Sequence, residues 1–254
     1  GFGIHIAYAG HDMHGPRLGP DGRIYWSIGD KGVNVTSKEG RHFYYPHEGC
    51  VMRVEPDGTG FEVFAHGRRN VKEVSFDDFG NMFGVDNDAD MPGERERFVY
   101  ITERSDSGWR CGHQYQKMGS RWMTDDIWRA KVSLGDGKKD KPSKSDPLVG
   151  GMKSSAPLFI TPPLANYSNG PAGFAHEPGT ALGASLRGYY ILNQFPSGVM
   201  DAFQIVPDGA AFRMEGLRNL NKGVLGIGMS WGPDGALYMA DWVGGYPLDE
   251  KGAI

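Results

Sequence analysis

Three polar clusters have residue types and spacings that suit chemistry. His11-Asp12-Met13-His14-Gly15 sets two histidines three positions apart in a loop. Imidazole titrates near neutrality, so His11 and His14 are candidates to take a proton from a hydroxyl or to ligate a metal. Arg68-Arg69-Asn70 joins a planar guanidinium fork to an amide that both donates and accepts, a pairing suited to an anionic or polyhydroxylated ligand. Ion pairing with acids of a neighbouring element is the alternative use of those arginines. The stretch Asp86-Asn87-Asp88-Ala89-Asp90, continuing to Glu94 and Glu96, is the densest in hard oxygen donors. Ca²⁺ takes such ligands from carboxylates, amides and backbone carbonyls. The spacing is not that of an EF-hand, and a run of solvated turn acids stands as the other reading.

The rest of the chain excludes several classes. No GxGxxG, P-loop, GxSxG or HExxH occurs. Cys50 and Cys111 allow at most one disulfide and have no CxxC or CxxCH spacing, so they read as ordinary thiols. Asn34-Val35-Thr36 and Asn166-Tyr167-Ser168 are glycosylation-type triplets that also arise by chance. With 27 Lys and Arg against 31 Asp and Glu, the chain carries no basic track for nucleic acid. Its mean hydropathy is −0.46, and no apolar run is long enough to span a membrane.

The elements that must position these clusters are strands. The chain has 39 Gly and 16 Pro among 254 residues, together with 39% hydrophobic residues, which excludes a helical bundle and disorder alike. Gly19-Pro20-Asp21-Gly22 leads into Arg23-Ile24-Tyr25-Trp26-Ser27-Ile28-Gly29-Asp30, and Gly232-Pro233-Asp234-Gly235 leads into Ala236-Leu237-Tyr238-Met239-Ala240-Asp241. Weaker copies run from Phe76 to Asp86 and from Arg187 to Asn193. Each is a turn followed by a short apolar strand ending in Asp or Asn. A second unit, Val51 to Gly58 and Ala202 to Gly209, enters a Pro-Asp-Gly turn and returns as a hairpin. Alternating hairpins with this recurrence predict an all-β, six-bladed β-propeller of four-stranded antiparallel blades, with residues 1–254 forming about four to five of them. A β-sandwich is the alternative, but it would not repeat one strand sequence at positions 19 and 232. Beginning at Gly1 and stopping without a turn, the chain is expected to be a piece of something longer. Residues 133–155, polar and rich in Lys and Gly, are expected to form a surface loop.

Taken in order, GPDGRIYWSIGD (19–30), AHGRRN (65–70), FGNMFGVDND (79–88) and GERERFVYITERSDSGW (93–109) resemble the soluble quinoprotein glucose, aldose-sugar and sorbosone dehydrogenases. The closing GPDGALYMADWVGGYPLDEKG (232–252) is similar to the branch called the membrane-bound dehydrogenase domain, found in planctomycete-type proteins that also carry a c-type haem module. The resemblance implies that His11, eight residues before Gly19, is the general base, with His14 as fallback. It assigns Arg69, Asn70 and Asn87 to contact with pyrroloquinoline quinone (PQQ), and Asp88, Ala89 and Glu94 to Ca²⁺. It also implies a periplasmic location, a sugar or alcohol substrate and a c-type cytochrome module in the same parent chain. Two departures stand against it. Gln194 occupies the place of an expected lysine, and Ile227-Gly228-Met229 occupies the place of an expected arginine.

The function expected on these grounds is PQQ- and Ca²⁺-dependent oxidation of a sugar or alcohol hydroxyl. A catalytically inactive propeller serving as a carbohydrate-binding or scaffold module is the first alternative, motivated by the missing cations. A metal-dependent lactone hydrolase is the second.

Overall fold

The computed structural model describes residues 1–4, 10–87, 96–110, 161–167, 170–195, 197–244 and 252–254. Among these residues the regular structure is strand throughout, apart from one 3₁₀ turn at Ala184–Leu186. The first sheet contains β1 (Met13–Leu18) and β2 (Ile24–Ile28). After an inserted hairpin, β3 (Val33–Thr36) with β4 (His42–Tyr45), it is completed by β5 (Gly49–Val54) and β6 (Glu62–Arg68). The second is an antiparallel run of β7 (Val71–Phe76), β8 (Met82–Asp86), β9 (Arg97–Ile101) and β10 (Ala165–Asn166). The third repeats the pattern with β11 (Pro171–His176), β12 (Tyr190–Gln194), β13 (Val199–Asp208) and β14 (Ala211–Lys222). β15 (Gly226–Trp231) and β16 (Leu237–Asp241) pair as a two-stranded sheet. The molecule is an all-β propeller. Among the described residues there are three four-stranded blades and a two-stranded sheet, against the four to five blades expected.

The repeated GPDG turns have one physical explanation at both copies. Gly22 and Gly235 have φ of 81° and 80°, a left-handed conformation that glycine adopts without strain. The aromatic ring three residues further on covers the first glycine, so a Cβ on Gly19 or Gly232 would lie 2.4 Å from Tyr25 or Tyr238. Each tyrosine hydroxyl then donates to the turn aspartate, Asp21 or Asp234, at 3.0 Å.

The core lies between the blades. Tyr25, Val51, Phe64, Val74, Met82 and Ile101 fill the space between the first and second sheets. Phe83, Phe98, Phe174, Tyr190 and Phe203 fill that between the second and third. Ala175, Ile191 and Met229 join the third to β15 and β16. The leading strands β1, β7, β11 and β15 meet at the axis. There Arg17 on β1 donates to the carbonyls of Phe174 (3.2 Å) and Met229 (3.1 Å) and lies 3.4 Å from Glu73 on β7. The Glu73 carboxylate accepts the Phe174 amide at 2.8 Å. One ion pair thus ties four strands that are far apart in sequence.

Of the expectations above, the 133–155 loop, Cys111, Asp88, Ala89 and Glu94 lie outside the described residues. Cys50 is a buried free thiol. Asn166 is buried, with its amide directed at the Glu96 carbonyl (3.4 Å), so its sequon is not presented to solvent.

Candidate active site

Where a chain enters an inner strand, its first backbone amides and carbonyls lack ladder partners, and a short polar side chain at a nearby strand end can satisfy them. The Asp or Asn closing each sequence repeat stands at that place. Asp86 accepts the Asn70 amide at 2.7 Å and the Arg69 amide at 3.0 Å. Asp241 accepts the Leu225 amide at 3.0 Å, and Asn193 donates to the Gly226 carbonyl at 2.7 Å. In the first blade the same position is turned to another use. Asp30, fully buried, accepts from His11 Nδ1 at 2.6 Å and from the Trp109 indole at 2.9 Å.

These contacts decide the state of His11. Burial is the main influence and, with Arg69 and Lys72 pushing the same way, holds its pKa below the ordinary 6.5 against the opposing pull of Asp30. The ring is therefore neutral at pH 7. With Nδ1–H donated to the carboxylate, the proton-accepting lone pair is on Nε2. A buried carboxylate holding a neutral imidazole in one tautomer is the arrangement that makes histidine a general base.

Asn70 is brought to the same place. A Cβ on Gly29 would lie 2.7 Å from Asn70 Oδ1 and 2.8 Å from the His11 Cβ, so glycine at 29 is what lets the two approach. His14 lies beside them with a different environment. Its Nε2 is 3.2 Å from Asn70 Oδ1 and 3.5 Å from Lys72 Nζ, and burial, then Lys72, push its pKa down to about 4. His11 and Asn70 thus lie close together, and His14 is engaged with Asn70.

Arg69 donates to Asn87 Oδ1 at 2.9 Å, and Asn87 Nδ2 reaches both Glu96 oxygens at 3.2 Å. The guanidinium groups of Arg69 and Arg97 lie 5.8 and 5.7 Å from the Trp109 ring, and Arg97 also contacts Asp86 at 3.2 Å. Gln194, at the expected lysine position, is drawn into a buried cluster, donating to Asp201 at 2.6 Å and Tyr167 at 3.1 Å. Sequence reasoning did not single out Asp30, Lys72, Arg97 or Trp109, and it took Glu96 only as one of a run of acids. The repeat-ending acid was the one available signal for Asp30. Trp109 reaches it across 79 positions of chain, which no local pattern could reveal.

A second group, Glu48, His66 and Asp106, has potential ligand atoms within 4.8 Å of one another. Arg110 contacts Glu48 at 3.0 Å and Asp106 at 2.8 Å, so a guanidinium already supplies the positive charge there.

Fold and site together define a β-propeller bearing a carboxylate-held neutral histidine beside an Arg-Asn pair at one end of its inner strands. The chain belongs to the family described as "Domain of unknown function (DUF7133)", which it matches over residues 2–246. No curated protein matches it in sequence. Among solved structures it is similar to the PQQ-bound aldose sugar dehydrogenase of Streptomyces coelicolor, at 16% identity and a TM-score of 0.52, covering 90% of this chain and 56% of that one. A putative oxidoreductase (glucose dehydrogenase) of Thermus thermophilus gives 16% and 0.54, with 93% and 62% covered. The soluble aldose sugar dehydrogenase of Escherichia coli, in its apo form, gives 12% and 0.56, with 95% and 62% covered. At these identities the likeness is one of fold, and the chain spans between 56 and 62% of the length of those three structures.

Proposed function

We propose that the protein containing this chain is an oxidoreductase of the sugar dehydrogenase type, which oxidises a hydroxyl of a sugar or alcohol with PQQ as hydride acceptor. The observation that carries this reading is the buried chain Trp109–Asp30–His11, which leaves His11 neutral with a basic Nε2. His11 removes the hydroxyl proton while the carbinol hydrogen leaves as hydride. Asp30 fixes the imidazole tautomer and stabilises the imidazolium as it forms. Asn70, held through its backbone by Asp86, presents an amide next to that ring.

A tricarboxylate quinone needs donors and positive charge. Arg69, Asn70 and Lys72 provide them at this end of the inner strands, whereas Gln194 is turned to Tyr167 and Asp201. The quinone, when bound, supplies the electron-pair acceptor. The assignment of Ca²⁺ to Asp88, Ala89 and Glu94 is part of the same proposal. So are the periplasmic setting, the closeness to the membrane-bound dehydrogenase branch and electron transfer to a c-type haem module in the parent chain. No helix among the described residues is long and apolar enough to cross a membrane.

The test is dye-linked oxidation of aldoses and alcohols by the full-length protein supplied with PQQ and Ca²⁺. Loss of the base in His11→Asn is expected to lower kcat/KM by about 10²- to 10⁴-fold. Absence of PQQ binding in calorimetry would overturn the proposal. The engagement of Gln194 favours a second reading, a carbohydrate-binding propeller without catalysis, in which glycan binding survives His11→Ala and no dye is reduced.

A further inference from the structure

Among the described residues, the charges around His11 leave the Lys72 ammonium without a carboxylate partner. Asp30 is bound to His11, Asp12 to Lys31 at 2.7 Å, Asp86 to two backbone amides and Arg97, and Glu73 to Arg17 and the Phe174 amide. Lys72, on β7 two residues after Asn70, has no carboxylate within ion-pair distance among the described residues. Its ammonium donates to the Gly10 carbonyl and lies 3.5 Å from His14 Nε2, so both neighbours belong to the segment that carries His11. An ammonium has three donors, and one Gly10 carbonyl does not exhaust them. Lysines at a surface normally extend their charge into water. Lys72 instead keeps it half-buried, where desolvation, with repulsion from Arg69 and Lys31, lowers its pKa to about 8 despite the opposing attraction of Asp12, which is itself bound to Lys31. A bound anion would relieve both penalties.

We propose that Lys72 recognises a carboxylate of the ligand bound beside His11. The inference rests on the reading above that this end of the inner strands is the ligand site. It gives the chain a cation in place of those absent at Gln194 and Ile227, supplied from a different strand. The carboxylate can belong to the quinone or to an acidic sugar such as an aldonate or uronate.

The experiment measures binding of PQQ, gluconate and glucuronate to the full-length protein by calorimetry, with Lys72→Gln, Lys72→Met and Lys72→Arg variants and exposed Lys38→Gln as control. Loss of a charge-assisted bond is expected to weaken the bound carboxylate by about 10- to 100-fold in the Gln and Met variants. The Arg variant is expected to stay within about threefold, since a guanidinium keeps the charge. If wild type binds the sugar acids and not PQQ, with the same loss on substitution, the quinone reading fails while the role of Lys72 stands. Equal affinity in wild type and either neutral variant, or no carboxylate bound by wild type, overturns the inference. Lys72→Met retains the aliphatic stem and decides the matter should Lys72→Gln fail to fold.

Discussion

Replacing Asp30 by Asn changes one atom in the middle of the buried chain from Trp109 to His11. The carboxylate accepts two N–H donors, one from each side. An asparagine can accept only one of them, because its NH₂ must face either the imidazole N–H or the indole N–H, donor against donor. Charge-assisted hydrogen bonds contribute about 1.5–3 kcal/mol each, and a buried donor left unpaired costs about 1–3 kcal/mol, so a loss of about 2–4 kcal/mol is expected. For a chain of this size that lowers Tm by roughly 5–15 °C in a calorimetric scan. Activity suffers more. Without the anion the imidazole loses both its fixed tautomer and the partner that stabilises it when protonated, so kcat/KM for dye-linked oxidation should fall by about 10²- to 10⁴-fold. The pKa of His11 should fall further, as both raising influences of Asp30 are removed. A variant that melts early yet keeps kcat/KM within about threefold would refute the catalytic part of the argument. A variant with an unchanged Tm would refute the account of the buried bonds.

Three further outcomes are expected. His14 stays neutral in the folded chain down to about pH 4, whereas an unfolded histidine takes a proton near 6.5; stability therefore falls as pH drops through that window, and His14→Gln should flatten this limb in denaturant titrations across pH. Glu73 acts with the opposite sign: burial raises its pKa from 4.5 to about 7, the folded state alone holds the proton between those values, and stability is lost as pH rises through them, a loss that Glu73→Gln should remove. Gly67 has φ of +70°, and a Cβ there would lie 1.9 Å from Asp106 Oδ1 and 2.8 Å from the Gly108 amide, so Gly67→Ala should cost about 2–4 kcal/mol in chemical denaturation; a loss under about 0.5 kcal/mol would show that the loop from Ser105 to Trp109 yields freely.

Sequence and tertiary structure divide the explanation unequally. Turn chemistry is local, so GPDG and PDG motifs with their following apolar runs announced the hairpins, the repeat and hence the blades. The Asp or Asn at the end of each repeat was equally legible as a recurring residue. Its purpose was not, because which backbone group or side chain it meets depends on which strand lies alongside. His11, Arg69 and Asn70 were singled out from residue type and order. Their working geometry depends on Trp109, Gly29 and Lys72, contributed by three separate stretches of chain. Gln194 was read from its place in the sequence as the loss of an expected lysine, and the fold buries it against Tyr167 and Asp201. The sequence by itself determined the turns, the strands and the list of reactive groups. Only the packing of blades around an axis decided that Asp30 faces an imidazole while Asp86 faces backbone amides, because burial and partner, which set the protonation and role of a side chain, are properties of neighbours distant in the chain.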